Sequence, residues 1–149
     1  MIFEMHITDK EMFNSIYSGN KKFDARLFDY KRRIIFPGDC VLYRAREIVD
    51  EEGMMVTVPV VIDSVHIYST FEEMFKDIPL QRFGFKPDVT QSEAVEFMEN
   101  YYKNEGDDWR GYCVVAYWFC RIADNLEMLE KKFKEQNSIG IHRNVIDLR

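Results

Sequence analysis

The chain has 149 residues, 46 % of them hydrophobic and 15 % aromatic, with a net charge of −6; this is enough chain for one core and too apolar for a disordered segment. No stretch approaches the roughly eighteen uncharged apolar residues of a membrane span, and the opening MIFEMHITDKEMF meets acids before an apolar run builds. These features predict a soluble, cytoplasmic protein without a secretory leader.

Thr8 and Glu11 have the spacing of a capping box, and Met12, Phe13, Ile16 and Tyr17 follow at helical spacing up to Gly19. That segment predicts a short helix closed by a glycine. Lys21 to Leu27 then reads as a strand, with Phe23, Ala25 and Leu27 on one face and Lys22, Asp24 and Arg26 on the other. Asp24 and Arg26 are expected to project together. Ile34 to Phe36 is short and apolar, FPGDC (Phe36 to Cys40) is a turn signal, and Cys40 to Ala45 alternates as a second strand.

Met54 to Tyr68 is a long β-branched run that follows the hairpin loop VDEEG, and its Pro59 is expected at a bulge or an edge. Ser69 or Thr70 can cap a helix through Glu72 or Glu73, with Phe71, Met74, Phe75 and Ile78 apolar and Pro79 ending it. Thr90 and Glu93 form another capping box, before a helix carrying Ala94, Val95, Phe97, Met98 and Tyr101 to about Lys103. Gly111 to Phe119 is almost wholly apolar and predicts a central strand. Ala123 to Gln136 predicts a last amphipathic helix through Leu126, Leu129 and Phe133, and Ile141 to Leu148 a short edge strand. The order of elements is α+β and predicts a small, curved, mostly antiparallel sheet or barrel decorated by helices.

Charge is uneven along the chain. Lys21 to Arg46 holds eight basic residues against three acids, a local +5 that leaves −11 for the rest. A discrete cationic patch on an acidic body suits a compact anionic ligand better than a long nucleic-acid track. Gly19, Lys21, Asp24 and Arg26 stand together in GNKKFDAR. The glycine permits φ > 0 and close backbone approach, Lys21 supplies a compact cation, Arg26 a fork of donors, and Asp24 an acceptor for an exocyclic amine. The plainer reading is an Asp24–Arg26 ion pair on a sheet face with Lys21 solvated.

This stretch resembles the GxKxxExR motif of the ASCH domain family, a branch of the PUA-like β-barrel superfamily, with Asp24 in place of the usual Glu. RIIFPGDCVLYRA (Arg33 to Ala45), YSTFEEMFKDI (Tyr68 to Ile78) and YCVVAYWF are similar to later segments of that family. The resemblance spans residues 1–121 and implies a PUA-like fold there, with residues 122–149 as a C-terminal helix and tail packed on the same domain. It implies binding of RNA or a modified nucleoside or nucleotide in a cleft lined by Gly19, Lys21, Asp24 and Arg26, with Glu72 and Glu73 the acids expected to face it, one near the ligand and the other capping the helix.

Two alternatives stand beside this one. Family members similar to the small bacterial amidohydrolase acting on N4-acetylcytidine carry Thr at the place of Asp24; an enzyme of that kind would use Lys21, Asp24 and Glu73 on an N-acylated pyrimidine nucleoside. Asp24 cannot act as the same nucleophile. The other alternative is a protein-interaction domain with a vestigial cleft.

Phe23, Phe28, Tyr30, Tyr43, Trp109, Tyr112 and Trp118 offer stacking surfaces, of which Trp109, beside Arg110 in a loop, is the expected lid. His6, His66 and His142 lack metal-ligand spacing, so neither a metal nor a cofactor is expected. Cys40, Cys113 and Cys120 are expected as reduced, mostly buried thiols.

Overall fold

The computed structural model describes residues 1–149 apart from residues 50, 54, 105, 107–108, 123–125 and 139–149 and the side chains of residues 46, 47 and 49. Strands β1 (Ile2–Ile7), β2 (Phe23–Leu27), β3 (Cys40–Val49), β4 (Met55–Tyr68) and β5 (Val114–Arg121) form one sheet in the order β1-β3-β4-β5-β2. The β1–β3 pairing is parallel and the others antiparallel. Helices α1 (Lys10–Ser18), α2 (Phe71–Asp77), α3 (Gln91–Asn104) and α4 (Leu126–Ser138) surround it. Arg26 Nη2 on edge strand β2 donates to His6 O on edge strand β1 at 3.1 Å, so the sheet curls until its two edges nearly meet. This is the expected α+β curved barrel.

The concave side holds Met5, Ile7, Phe13, Ile16, Val41, Tyr43, Val58, Tyr117 and Phe119 in the main core. Phe23, Ala25, Leu27, Val114 and Ala116 on the opposite face of β2 and β5 pack against α2 and α3 through Phe71, Phe75, Ala94 and Met98. A third cluster, Ile2, Leu42 and Leu129, seats α4 on β1 and β3. Gln136 extends that contact: its Oε1 accepts from Ile2 N at 3.1 Å and its Nε2 donates to Ile2 O at 2.8 Å, so one side-chain amide satisfies a residue on the outer edge of β1.

Several expectations shift. β1 lies in a segment whose alternation, with Met5 and Ile7 inward and Glu4 outward, is a strand pattern. The cap of α1 is Asp9, whose Oδ1 accepts from Met12 N at 2.9 Å, and not Thr8. Asp is the stronger N-cap, and Glu11 instead approaches Lys86 at 3.4 Å. Ile34 ends a turn, and Ile35 and Phe36 follow outside any strand, with Ile35 buried.

Pro59 lies opposite Leu42 inside β4, yet its carbonyl accepts from Ile122 N just beyond the end of β5. Its missing N–H therefore faces the place where that pairing stops. Cys113 and Cys120 are exposed and Cys40 is partly buried, and among the described residues none of the three is in a disulfide; Cys113 and Cys120 flank the buried centre of β5. The strand expected over Ile141 to Leu148 lies outside the described residues. No helix among the described residues is long and apolar enough to cross a membrane.

Candidate functional site

The pleat of β2 sends Asp24 and Arg26 toward the concave face and its apolar residues toward α2 and α3. Arg26 Nε donates to Asp24 Oδ2 at 2.9 Å, and the hydroxyl of Tyr43 on β3 donates to the same oxygen at 2.9 Å. Gly19 ends α1 with φ 80°, and its N–H bonds Ile16 O. The turn that follows returns the chain, so that Lys21 N bonds Ser15 O and its side chain runs inward. Lys21 Nζ donates to Phe83 O at 2.8 Å and stands 3.9 Å from Asp24 Oδ1. All three charged side chains are buried.

Burial pushes the Lys21 ammonium down to about 8, against the opposing pull of Asp24. Burial also works to raise Asp24, but the Arg26 guanidinium, Lys21 and the Tyr43 hydroxyl outweigh it and hold the carboxyl below its usual range. Tyr43 is driven well above an ordinary phenol by burial and by the adjacent Asp24 carboxylate. At neutral pH the group is a carboxylate between two cations, with Oδ2 committed to two donors and Oδ1 facing the lysine.

Lys21, Asp24 and Arg26 floor a pocket of about 60 Å³ between the β1–α1 junction, β2, the turn at Phe83 and α3. By the measure in which one water needs about 10–15 Å³, it takes the edge of a single ring and not a whole nucleotide. Phe83, Phe85, Phe97 and Tyr101 supply ring surface, Met12 and Met98 flexible apolar contacts, and His6 and Asp9 line the β1–α1 side. Tyr102, also in the wall, accepts from Leu27 N at 2.9 Å through its hydroxyl, which ties α3 to β2. Among the described residues, no group of three or more His, Cys, Asp or Glu stands close enough to hold a metal ion.

A family model described as the ASCH domain matches residues 7–119. The chain belongs to the ASCH domain family. The crystal structure of the hypothetical protein PH0355 is similar at 30 % identity and TM-score 0.63, covering 82 % of this chain and 100 % of that one. A Pyrococcus furiosus protein solved by NMR is similar at 27 % identity and TM-score 0.58, covering 83 % and 100 %. The ASCH domain from Lactobacillus crispatus JV V101, at 13 % identity and TM-score 0.51 over 80 % and 79 %, shares the fold. No curated protein matches.

Within this ASCH domain the structure gathers Lys21, Asp24 and Arg26, and separates the other residues singled out in the sequence. Glu73 accepts from Ser69 Oγ and takes the Thr70 cap through its own N–H, while Glu72 approaches Lys76 at 3.3 Å; both are exposed and neither lines the pocket. The reason is helical phase: α2 buries Phe71, Met74 and Phe75, which turns 72 and 73 outward. Gly19 shapes the turn before Lys21 without lining the pocket. Trp109 packs at the rim of the helical core with the Arg110 guanidinium 4.8 Å from its ring, also outside the pocket. The carboxylate that joins Asp24 there is Asp9, hidden in the sequence by its work as a helix cap.

Proposed function

We propose that this ASCH domain recognises one unstacked base, from RNA or from a modified nucleoside or nucleotide, in the pocket floored by Lys21, Asp24 and Arg26. The observation that carries the reading is a buried carboxylate between two buried cations beneath a wall of aromatic rings. Rings grip the face of a base, and the polar floor reads its edge. Asp24 Oδ1 is the acceptor for an exocyclic amine and Lys21 the donor for a ring carbonyl.

A second reading, deacylation of an N-acylated pyrimidine nucleoside, draws support from Lys21, whose pKa of about 8 suits general-base work near neutral pH. The commitment of Asp24 Oδ2 to Arg26 and Tyr43, and the outward position of Glu73, favour recognition over catalysis. A thermal-shift panel of free and modified nucleosides, each mixture then analysed by mass spectrometry, separates the two. A compound that stabilises the protein and is recovered intact supports recognition; its conversion to a deacylated product supports the enzyme; a panel without a stabilising compound overturns both.

A further inference from the structure

A second hollow, of about 470 Å³, shares Lys21 with the pocket and is otherwise lined by Lys22, Phe23, Arg82, Trp118 and Arg121 among others, with no carboxylate in its wall. Trp118 is 41 % exposed on a strand whose other central residues are buried. Its ring stacks on Phe23 at 5.9 Å and 22°, and Phe23 packs against Phe83 at 5.6 Å, so the indole is a backed platform. Arg121 is held beside it, donating Nη1 to Tyr17 O at 3.1 Å with its guanidinium 5.2 Å from the Tyr17 ring. Lys22 and Arg82 are exposed, and among the described residues neither they nor Arg121 pairs with a carboxylate. Unneutralised cations beside an exposed flat ring, in a chain of net charge −6, match phosphates flanking a base. An acidic peptide would use the charges and leave the stacking surface idle.

We propose that this hollow binds single-stranded nucleic acid, one base stacked on Trp118 and the adjoining phosphates held by Lys22, Arg82 and Arg121. The inference deepens the base-recognition reading and rests on it only for the expectation that pocket and hollow serve one ligand; it names that ligand as a strand.

The test is fluorescence anisotropy of a labelled, mixed-sequence twelve-nucleotide RNA across a salt series, with polyglutamate as competitor. Three phosphate contacts predict a slope of log K on log salt of about −2, and Arg82→Gln with Arg121→Gln removes about 1.4 of it. Trp118→Ala, at an exposed position, weakens binding at least fivefold or so. RNA that fails to bind at low salt, a slope unchanged in the double variant, or displacement by an equal charge concentration of polyglutamate each overturns the proposal. Nucleoside thermal shifts on the same proteins keep the two readings apart. RNA binding that is lost in the double variant while no nucleoside protects the wild type refutes the pocket alone; nucleoside protection equal in both proteins, beside absent RNA binding, refutes the hollow alone.

Discussion

Asp24 and Arg26 bond through Oδ2 and Nε at 2.9 Å with their side chains 6 % and 7 % exposed, and Arg26 reaches on to His6 O at 3.1 Å. One ion pair thus joins the pocket floor to the closure of the curled sheet. Removing one partner of a buried pair leaves an uncompensated charge. Asp24→Asn should cost about 3–5 kcal/mol in urea denaturation. The folded-state pKa of Asp24 lies below its unfolded value of about 4. Its contribution is therefore present above that value and lost as pH falls through the folded pKa, a loss the variant should not show.

Lys21 adds a slope of the same sign in a more alkaline window. Its folded pKa of about 8 lies below the ordinary 10.5, so between those values the unfolded chain binds the extra proton and stability rises with pH. The full window is worth up to about 3 kcal/mol. Lys21→Met should remove that rise, checked by denaturation at pH 7.5 and 9.5, on the low side of the tyrosine titrations.

Tyr43→Phe leaves the shape of the core and removes one donor from Asp24. A hydrogen bond to a charged acceptor is worth about 1.5–3 kcal/mol, and the loss should appear as a lower urea midpoint at unchanged m-value.

The glycines at 19 and 84 separate two costs. Gly19 has φ 80° with open space where a Cβ would stand, whereas at Gly84, φ 93°, a Cβ would lie 3.1 Å from Ser15 Oγ and 3.2 Å from Met12 Sδ. Gly19→Ala should cost about 1–2 kcal/mol from backbone conformation alone. Gly84→Ala should cost more, and because Met12 lines the pocket it should also weaken nucleoside binding.

Gln136→Ala exposes the outer edge of β1 at Ile2. A loss of about 1–2 kcal/mol and a tendency to self-associate are expected, read by denaturation and by light scattering.

The sequence pattern made the local parts of this arrangement legible. The period-two alternation of FDARL put Asp24 and Arg26 on one face, and the apolar positions of α2 were legible as well. The expectation that Glu72 and Glu73 face the cleft came from the family resemblance, whereas the phase of α2 turns both outward. What could not be read was distant pairing. The carbonyl that buries Lys21 belongs to Phe83, 62 residues on, and the hydroxyl on Asp24 to Tyr43, 19 residues on. Both depend on how the sheet curls, which no local periodicity encodes. Asp9 was obscured because cap and pocket wall are one carboxylate.

The most direct test of the central claim is calorimetric titration of the best-stabilising nucleoside into wild type and Lys21→Met, with Phe97→Ala as a change in the pocket wall. At a hundredfold excess over Kd the wild type should gain about 2.7 kcal/mol, a rise of roughly 5–10 °C in Tm, and both variants, folded, should bind at least tenfold more weakly. Equal affinity in wild type and Lys21→Met would contradict the account.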